Sequence, residues 1–208
     1  MRFFDELRQQ RWDDHRYYHH SRINQFLHLV SASSFLASYV LVFINPVIAT
    51  LIGWLAAMGF RQIGHFFFEP RCFDAIYRVT HEYKESIKVG YNLKRKIVLL
   101  SIWAMAPVML YYSPSFFGVF EAHDDLSSFI QNMGMCWLAL GIGALVFRTV
   151  HLFFIMGIQS GFVWATKILT DPFHDIKIYY KSPYYILKKE WYDDMTDWYE
   201  AAPVVKQT

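Results

Sequence analysis

Charge is what this chain has least of. Of its 208 residues only 18% are Asp, Glu, Lys or Arg, while 54% are apolar and 19% aromatic. A soluble domain carries about a quarter charged residues, and the mean hydropathy here is positive, +0.16. A basic excess is missing as well: the formal net charge is +2, which leaves no electrostatic footprint for nucleic acid. Cysteine is nearly absent. Cys72 and Cys136 are the two present, the second inside an apolar run, so no disulfide framework and no thiolate metal site can be assembled and both are expected to be reduced thiols. There is no glycine-rich nucleotide-binding turn, no internal repeat and no low-complexity segment. Residues Met1 to Arg22 are polar rather than a short basic stretch ahead of an apolar core, so no signal peptide is expected and the first apolar segment should stay.

What the chain does have is long apolar runs. The first, from about Phe26 to Ile44, ends at Asn45-Pro46, a pair that favours a turn because proline cannot continue a helical hydrogen-bond ladder. The second runs from Val47 to Phe68. Each approaches the roughly 20 residues a helix needs to cross about 30 Å of hydrocarbon, and the turn between them makes an antiparallel hairpin. A third run, Ile97 to Tyr112, contains Pro107 and is expected to kink, and the last stretches from Phe129 to Leu169, interrupted by Arg148 and His151.

The polar segments set the orientation. Glu69 to Lys96 holds seven basic residues against four acids, whereas Ser113 to Ser128 holds Glu121, Asp124 and Asp125 and no Lys or Arg. By the positive-inside rule the N-terminus, the 69–96 segment and the tail with Lys177, Lys181, Lys188 and Lys189 are cytoplasmic, which four spans satisfy. The expected fold is therefore an all-α, polytopic membrane helical bundle of about four transmembrane helices, with a long fourth helix and cytoplasmic termini. Its parts are a cytoplasmic N-terminal segment, 1–22, a transmembrane helical domain, 23–169, with the basic loop 69–96, and a cytoplasmic or interfacial tail, 170–208. The tail aromatics Trp191, Tyr192, Trp198 and Tyr199 read as an interface belt on an amphipathic helix.

Nine histidines are many for so apolar a chain, and the topology sorts them. His15, His19, His20 and His28 lie at the cytoplasmic end of the first span and His65 at that of the second. His81 and His174 are in cytoplasmic segments, His151 is on the fourth helix, and only His123 is on the far side. Spacing adds geometry. His65 and Glu69 stack on one helical face, with Gln62 a turn earlier; Asn24 and His28 share a face, as do His15 and His19. Imidazoles with a carboxylate suit a first-row divalent metal, and Fe(II) when coordination positions stay open. Ionisable groups near hydrocarbon are costly and usually face the bundle interior with a partner, which favours a functional role for His65 with Glu69. Arg61 and Arg148 read equally well as snorkelling anchors or as anion-binding groups.

The order His19-x4-Asn24-x3-His28, a Pro46 hairpin turn, then Gln62-Ile63-Gly64-His65 followed by Glu69 resembles the family of small multipass 2-hydroxy fatty acid dioxygenases. The resemblance covers residues 15 to 75. It departs after the glutamate, where the family commonly has a basic residue and Pro-Ala and this chain reads Glu69-Pro70-Arg71-Cys72, and it gives no assignment for Asp171-Pro172-Phe173-His174-Asp175. It implies an Fe(II)-dependent enzyme that takes a 2-hydroxy fatty acid and O2 to the acid one carbon shorter and CO2, working on membrane lipid; the charge topology puts its site at the cytoplasmic face of a bacterial inner membrane or endoplasmic reticulum, and the charge balance argues for no nucleic acid partner. By that resemblance His19, His28, His65 and Glu69 are the iron and catalytic residues, with His15, His20 and His151 in reserve. Asn24, Gln62, Arg61 and Arg148 are candidate substrate-binding residues. A straight helix would put His19 and His28 about 180° apart, so a break near Ser21 is required. The alternatives are a membrane di-iron hydroxylase or desaturase, a haem protein using His28 with His65 or His151, and a non-enzymatic adaptor.

Overall fold

The computed structural model of the protein describes residues 1–195; Trp198 and Tyr199 lie outside them. The described residues are all-helical, without strands. In chain order the helices are α1 Phe3–Tyr18, α2 Arg22–Leu41, α3 Pro46–Phe68, α4 His81–Ile87, α5 Leu93–Tyr112, α6 Leu126–Ile155, α7 Ile158–Tyr179 and α8 Ser182–Leu187.

Local chemistry sets the boundaries. Asp5 and Glu6 sit in the first turn of α1 and His15 and Arg16 in its last, the arrangement the helix dipole favours. The break between α1 and α2 falls at His19 to Ser21, and Ser21 caps α2 by accepting from the Asn24 amide. Asn45 caps α3, its side chain accepting from Ile48 N at 3.0 Å, and Pro46 occupies the first turn where its missing N–H costs nothing. Asp125 and Ser128 form a reciprocal capping box at the start of α6.

Two widened π-turns, Ile52–Met58 and Gly64–Phe68, interrupt α3, and the second holds His65. Such turns re-aim side chains and recur at functional sites. Gly64 is required there: a Cβ on it would lie 2.2 Å from Asn24 Oδ1, so its missing side chain lets α2 and α3 approach at the level of His28 and His65. Farther along, Trp54, Trp103 and Trp137 stack with ring centroids 6.0 and 5.0 Å apart. Trp54 Nε1 donates to Trp137 O at 2.9 Å and Trp137 Nε1 to Trp103 O at 3.0 Å, tying α3, α5 and α6 together.

Two expectations change. The long fourth helix is broken after Ile155: Gly157 has φ +100°, a conformation side chains rarely adopt, and α7 folds back on α6, bringing Phe153 and Phe162 rings to 5.0 Å. α7 then packs along α1 and α2 instead of projecting away. The tail after α8 is not an amphipathic helix at Trp191 and Tyr192. It runs beside the α1–α2 break, where Trp191 O accepts from Arg22 N at 3.0 Å, Asp193 N donates to His20 O at 2.8 Å and Tyr192 stacks on His20.

Two stretches, Pro46–Phe68 and Leu126–Ile155, are long and apolar enough to cross a membrane. α2 and α5 fall short because α2 opens on Asn24, Gln25 and His28 and α5 on Lys94-Arg95-Lys96. Side chains on α6 such as Ile142, Phe147 and Phe154 face outward.

Candidate metal centre

Three elements converge on one point. His19 caps the end of α1, His28 lies two turns into α2 and His65 sits in the widened turn of α3. The break at Ser21 brings the first two onto one side. One ring nitrogen from each of the three lies within 4.8 Å of the others, and His19 Nε2 and His28 Nε2 are 3.1 Å apart. Two nitrogens bound at right angles to one first-row cation are separated by about 3 Å, so the pair fits a shared metal as well as a hydrogen bond. The Nδ1 atoms of His19 and His28 are buried and unbonded. Burial holds His15 and His19 well below the ordinary histidine pKa near 6.5, with His28 and His174 among the neighbouring groups that lower them further. Both are therefore neutral at pH 7, with lone pairs available to a cation.

Glu69 stands one step behind. Its Oε2 accepts from His65 Nδ1 at 2.7 Å and its Oε1 is 3.4 Å from Lys88 Nζ. A carboxylate on Nδ1 fixes the ring and leaves Nε2 to face the cluster, so the structure places Glu69 as the partner of His65 and not among the three converging donors.

The other candidates separate. His15 joins a neighbouring group with His174 and Asp175. His20 points away, to Asp193 O at 2.8 Å and Asp74 at 3.3 Å. His151 bonds Arg148 at 2.8 Å, and Arg148 reaches the carbonyl of Val89; neither lines the cavity described next. Asn24, also expected at the substrate, is fully buried and donates to Tyr18 O at 2.9 Å, clamping α1 to α2. Arg61 and Gln62 do line the cavity.

That cavity, about 240 Å³, opens beside the three histidines. Its wall includes the charged Arg61, Lys96 and Asp175 and the apolar Phe35, Trp54, Met58, Leu99, Leu145 and Ile168. Its charges are mostly paired. Arg61 bonds Asp175, Lys167 bonds Asp14 and Asp171, and Lys88 bonds Glu69 and Glu85. Lys96 is different: among the described residues it has no carboxylate within 4.0 Å.

Sequence reasoning missed Lys96, Asp175 and Tyr179. The signal was present in part: Lys167, Asp171, Asp175 and Tyr179 repeat every four residues, one polar face on α7. Burial opposes ionisation of Asp171, but Lys167, Arg61 and Arg11 outweigh it and lower its pKa, whereas burial raises that of Asp175.

Residues 7–84 match the model of the Mpo1-like family, described as 2-hydroxy-palmitic acid dioxygenase Mpo1-like. That segment is therefore similar to the Mpo1-like family. The match takes in all three converging histidines and Glu69, and ends before α5, α6 and α7, which complete the cavity. No curated protein and no solved structure matches the chain.

Proposed function

We propose that the protein is a membrane-embedded, Fe(II)-dependent dioxygenase that converts long-chain 2-hydroxy fatty acids to the acid one carbon shorter, with loss of CO2. One observation carries this reading: three convergent imidazoles stand on a cavity whose wall also holds a lysine lacking a carboxylate partner and several apolar side chains. The family's printed description supports the substrate class. The net reaction, R-CHOH-COOH + O2 giving R-COOH + CO2 + H2O, balances with all electrons drawn from the substrate, so no nicotinamide, flavin or 2-oxoglutarate is needed.

Fe(II) held by His19, His28 and His65 supplies redox chemistry with O2 and a Lewis-acidic contact for the hydroxy and carboxylate oxygens of the acid. The chain's own residues do the rest. Lys96 binds the carboxylate as an ion pair in a water-poor wall, with Arg61, already paired to Asp175, behind it. Phe35, Met58, Leu99 and Leu145 take the acyl carbons next to the head and exclude water. Glu69 holds the His65 ring. Iron-loaded protein in detergent, given 2-hydroxypalmitate and O2, should yield pentadecanoate and CO2, and palmitate should be inert because it lacks the hydroxyl. Turnover of palmitate only with an added electron donor would replace this reading with a di-iron lipid hydroxylase, which the neighbouring His15, His174 and Asp175 group favours as the second reading. A haem between His28 and His65 is disfavoured because their ring centroids are 4.9 Å apart, too close for a porphyrin plane.

We place α2, α3, α5 and α6 across the bilayer, with the termini and the three histidines on the cytoplasmic side of a bacterial inner membrane or endoplasmic reticulum. The basic segment supports this, because its Lys88 and Lys96 line the cavity. After Cys72 and Cys136 are replaced by serine, single cysteines at Asp124 and Lys188 should label from opposite sides; labelling from the same side rejects four spans.

A further inference from the structure

The break between α1 and α2 brings His19 beside His28, and a break has to be satisfied chemically. Interrupting a helix strands the carbonyls at the end of one segment and the N–H groups at the start of the next. Here they find partners elsewhere. Tyr17 O accepts from Lys84 Nζ at 3.4 Å, Tyr18 O from Asn24 Nδ2 at 2.9 Å and His19 O from Gln25 Nε2 at 2.9 Å. His20 O accepts from Asp193 N at 2.8 Å, and Arg22 N donates to Trp191 O at 3.0 Å. The last two partners come from the far end of the described chain. Residues 191–193 run as a strap antiparallel to the break, with Tyr192 opposite Ser21.

Asp193 reaches further in than its backbone. Its Oδ2 accepts from Gln25 Nε2 at 2.8 Å and pairs with Arg22 Nη1 at 2.6 Å. Gln25 is buried, and the same Nε2 that bonds Asp193 donates to His19 O, with Met195 Sδ beside it at 3.3 Å. A primary amide has two N–H groups, so committing them to two fixed acceptors leaves the side chain one orientation. The Asp193 carboxylate is thereby joined through Gln25 to the main chain of His19, whose Nε2 stands 3.1 Å from that of His28. Gln25 itself lies one turn ahead of His28 on α2. Neither Asp193 nor Gln25 lines the cavity, so what they hold is the backbone that aims the two rings.

We propose that Asp193 is a positioning residue for the three-histidine centre: through Gln25 and the His20 carbonyl it fixes the α1–α2 break so that His19 meets His28. The inference rests on the metal centre of the proposed function and adds to it a contribution from outside the family-matched segment 7–84. Outer partners that orient ligands govern metal affinity in this way.

Metal affinity, read beside stability, tests it. Full-length protein stripped with a chelator in detergent is titrated anaerobically with Co(II), following the ligand-field absorption of the equivalent that His65→Ala removes. Asp193→Ala should weaken that equivalent about tenfold and shift its absorption band. Asp193→Asn, whose amide oxygen still accepts from Gln25, should restore both. Asp125→Ala removes the capping box of α6 and serves as the stability control; it should lower the thermal midpoint and leave Co(II) affinity and band as in wild type. Wild-type affinity and band in Asp193→Ala refute the positioning role and leave the centre standing, as does an equal loss in Asp125→Ala. Failure of Asp193→Asn to restore them overturns the route through Gln25. Absence of a His65-dependent equivalent in wild type refutes the centre itself, and the inference with it. Should Asp193→Ala lose its native circular dichroism, Gln25→Leu removes the middle link with the strap's main-chain bonds in place, and the same two readouts decide.

Discussion

The family-matched segment 7–84 and the remainder of the chain do different work at one cavity. The first contributes all three converging imidazoles, the Glu69 that steadies one of them, and the close α2–α3 contact at Gly64. The second contributes the surroundings: Asp175 against Arg61, Lys167 with Asp171 against Asp14, Lys96 without a carboxylate, and much of the apolar wall. A donor set is local in sequence because two helix ends and a break suffice to build it. An environment is not, because neutralising buried charge and enclosing an apolar cavity need helices from the far end of the chain.

That division can be broken most directly at Asp175. Asp175→Ala strands the Arg61 guanidinium against a buried wall, and breaking a buried pair costs about 3 kcal/mol, which should appear as a large fall in thermal midpoint. A melt within error of wild type would show that the C-terminal half is scaffold and not a charge frame.

Glu69→Gln probes the other side. It keeps the shape but removes the carboxylate from His65 Nδ1, and metal affinity should drop about 10- to 100-fold with little change in the melt. Unchanged affinity would mean that the ring is held by packing alone.

The smallest effect is expected at Lys96. Lys96→Met should raise KM for a 2-hydroxy acid about tenfold, the value of one modest ion pair, with kcat nearly unchanged. A KM that ignores the substitution would remove Lys96 from substrate binding.

Residue type and spacing alone made much of this legible. The helical class and the hairpin at Asn45-Pro46 follow from local signals, apolar runs and a proline, whereas the grouping of His19, His28 and His65, and with it the break near Ser21, came from the family resemblance. Other features were out of reach. The fourth apolar stretch contains no charge between Phe129 and Phe147, so hydropathy reads it as continuing, and only packing shows that Gly157 turns the chain back. Asn24 shares a helical face with His28, yet its amide is consumed in clamping Tyr18.

By itself the sequence determined an apolar helical chain with its imidazoles at one end of two adjacent helices, because helix formation and turn chemistry act over a few residues. Tertiary structure alone decided that Glu69 backs His65, that His20 and His151 stay away, and that Asp175 enters the centre from 147 residues beyond His28. Which buried charges meet is set by the packing of α7 against α1 and α2, and no local propensity encodes that.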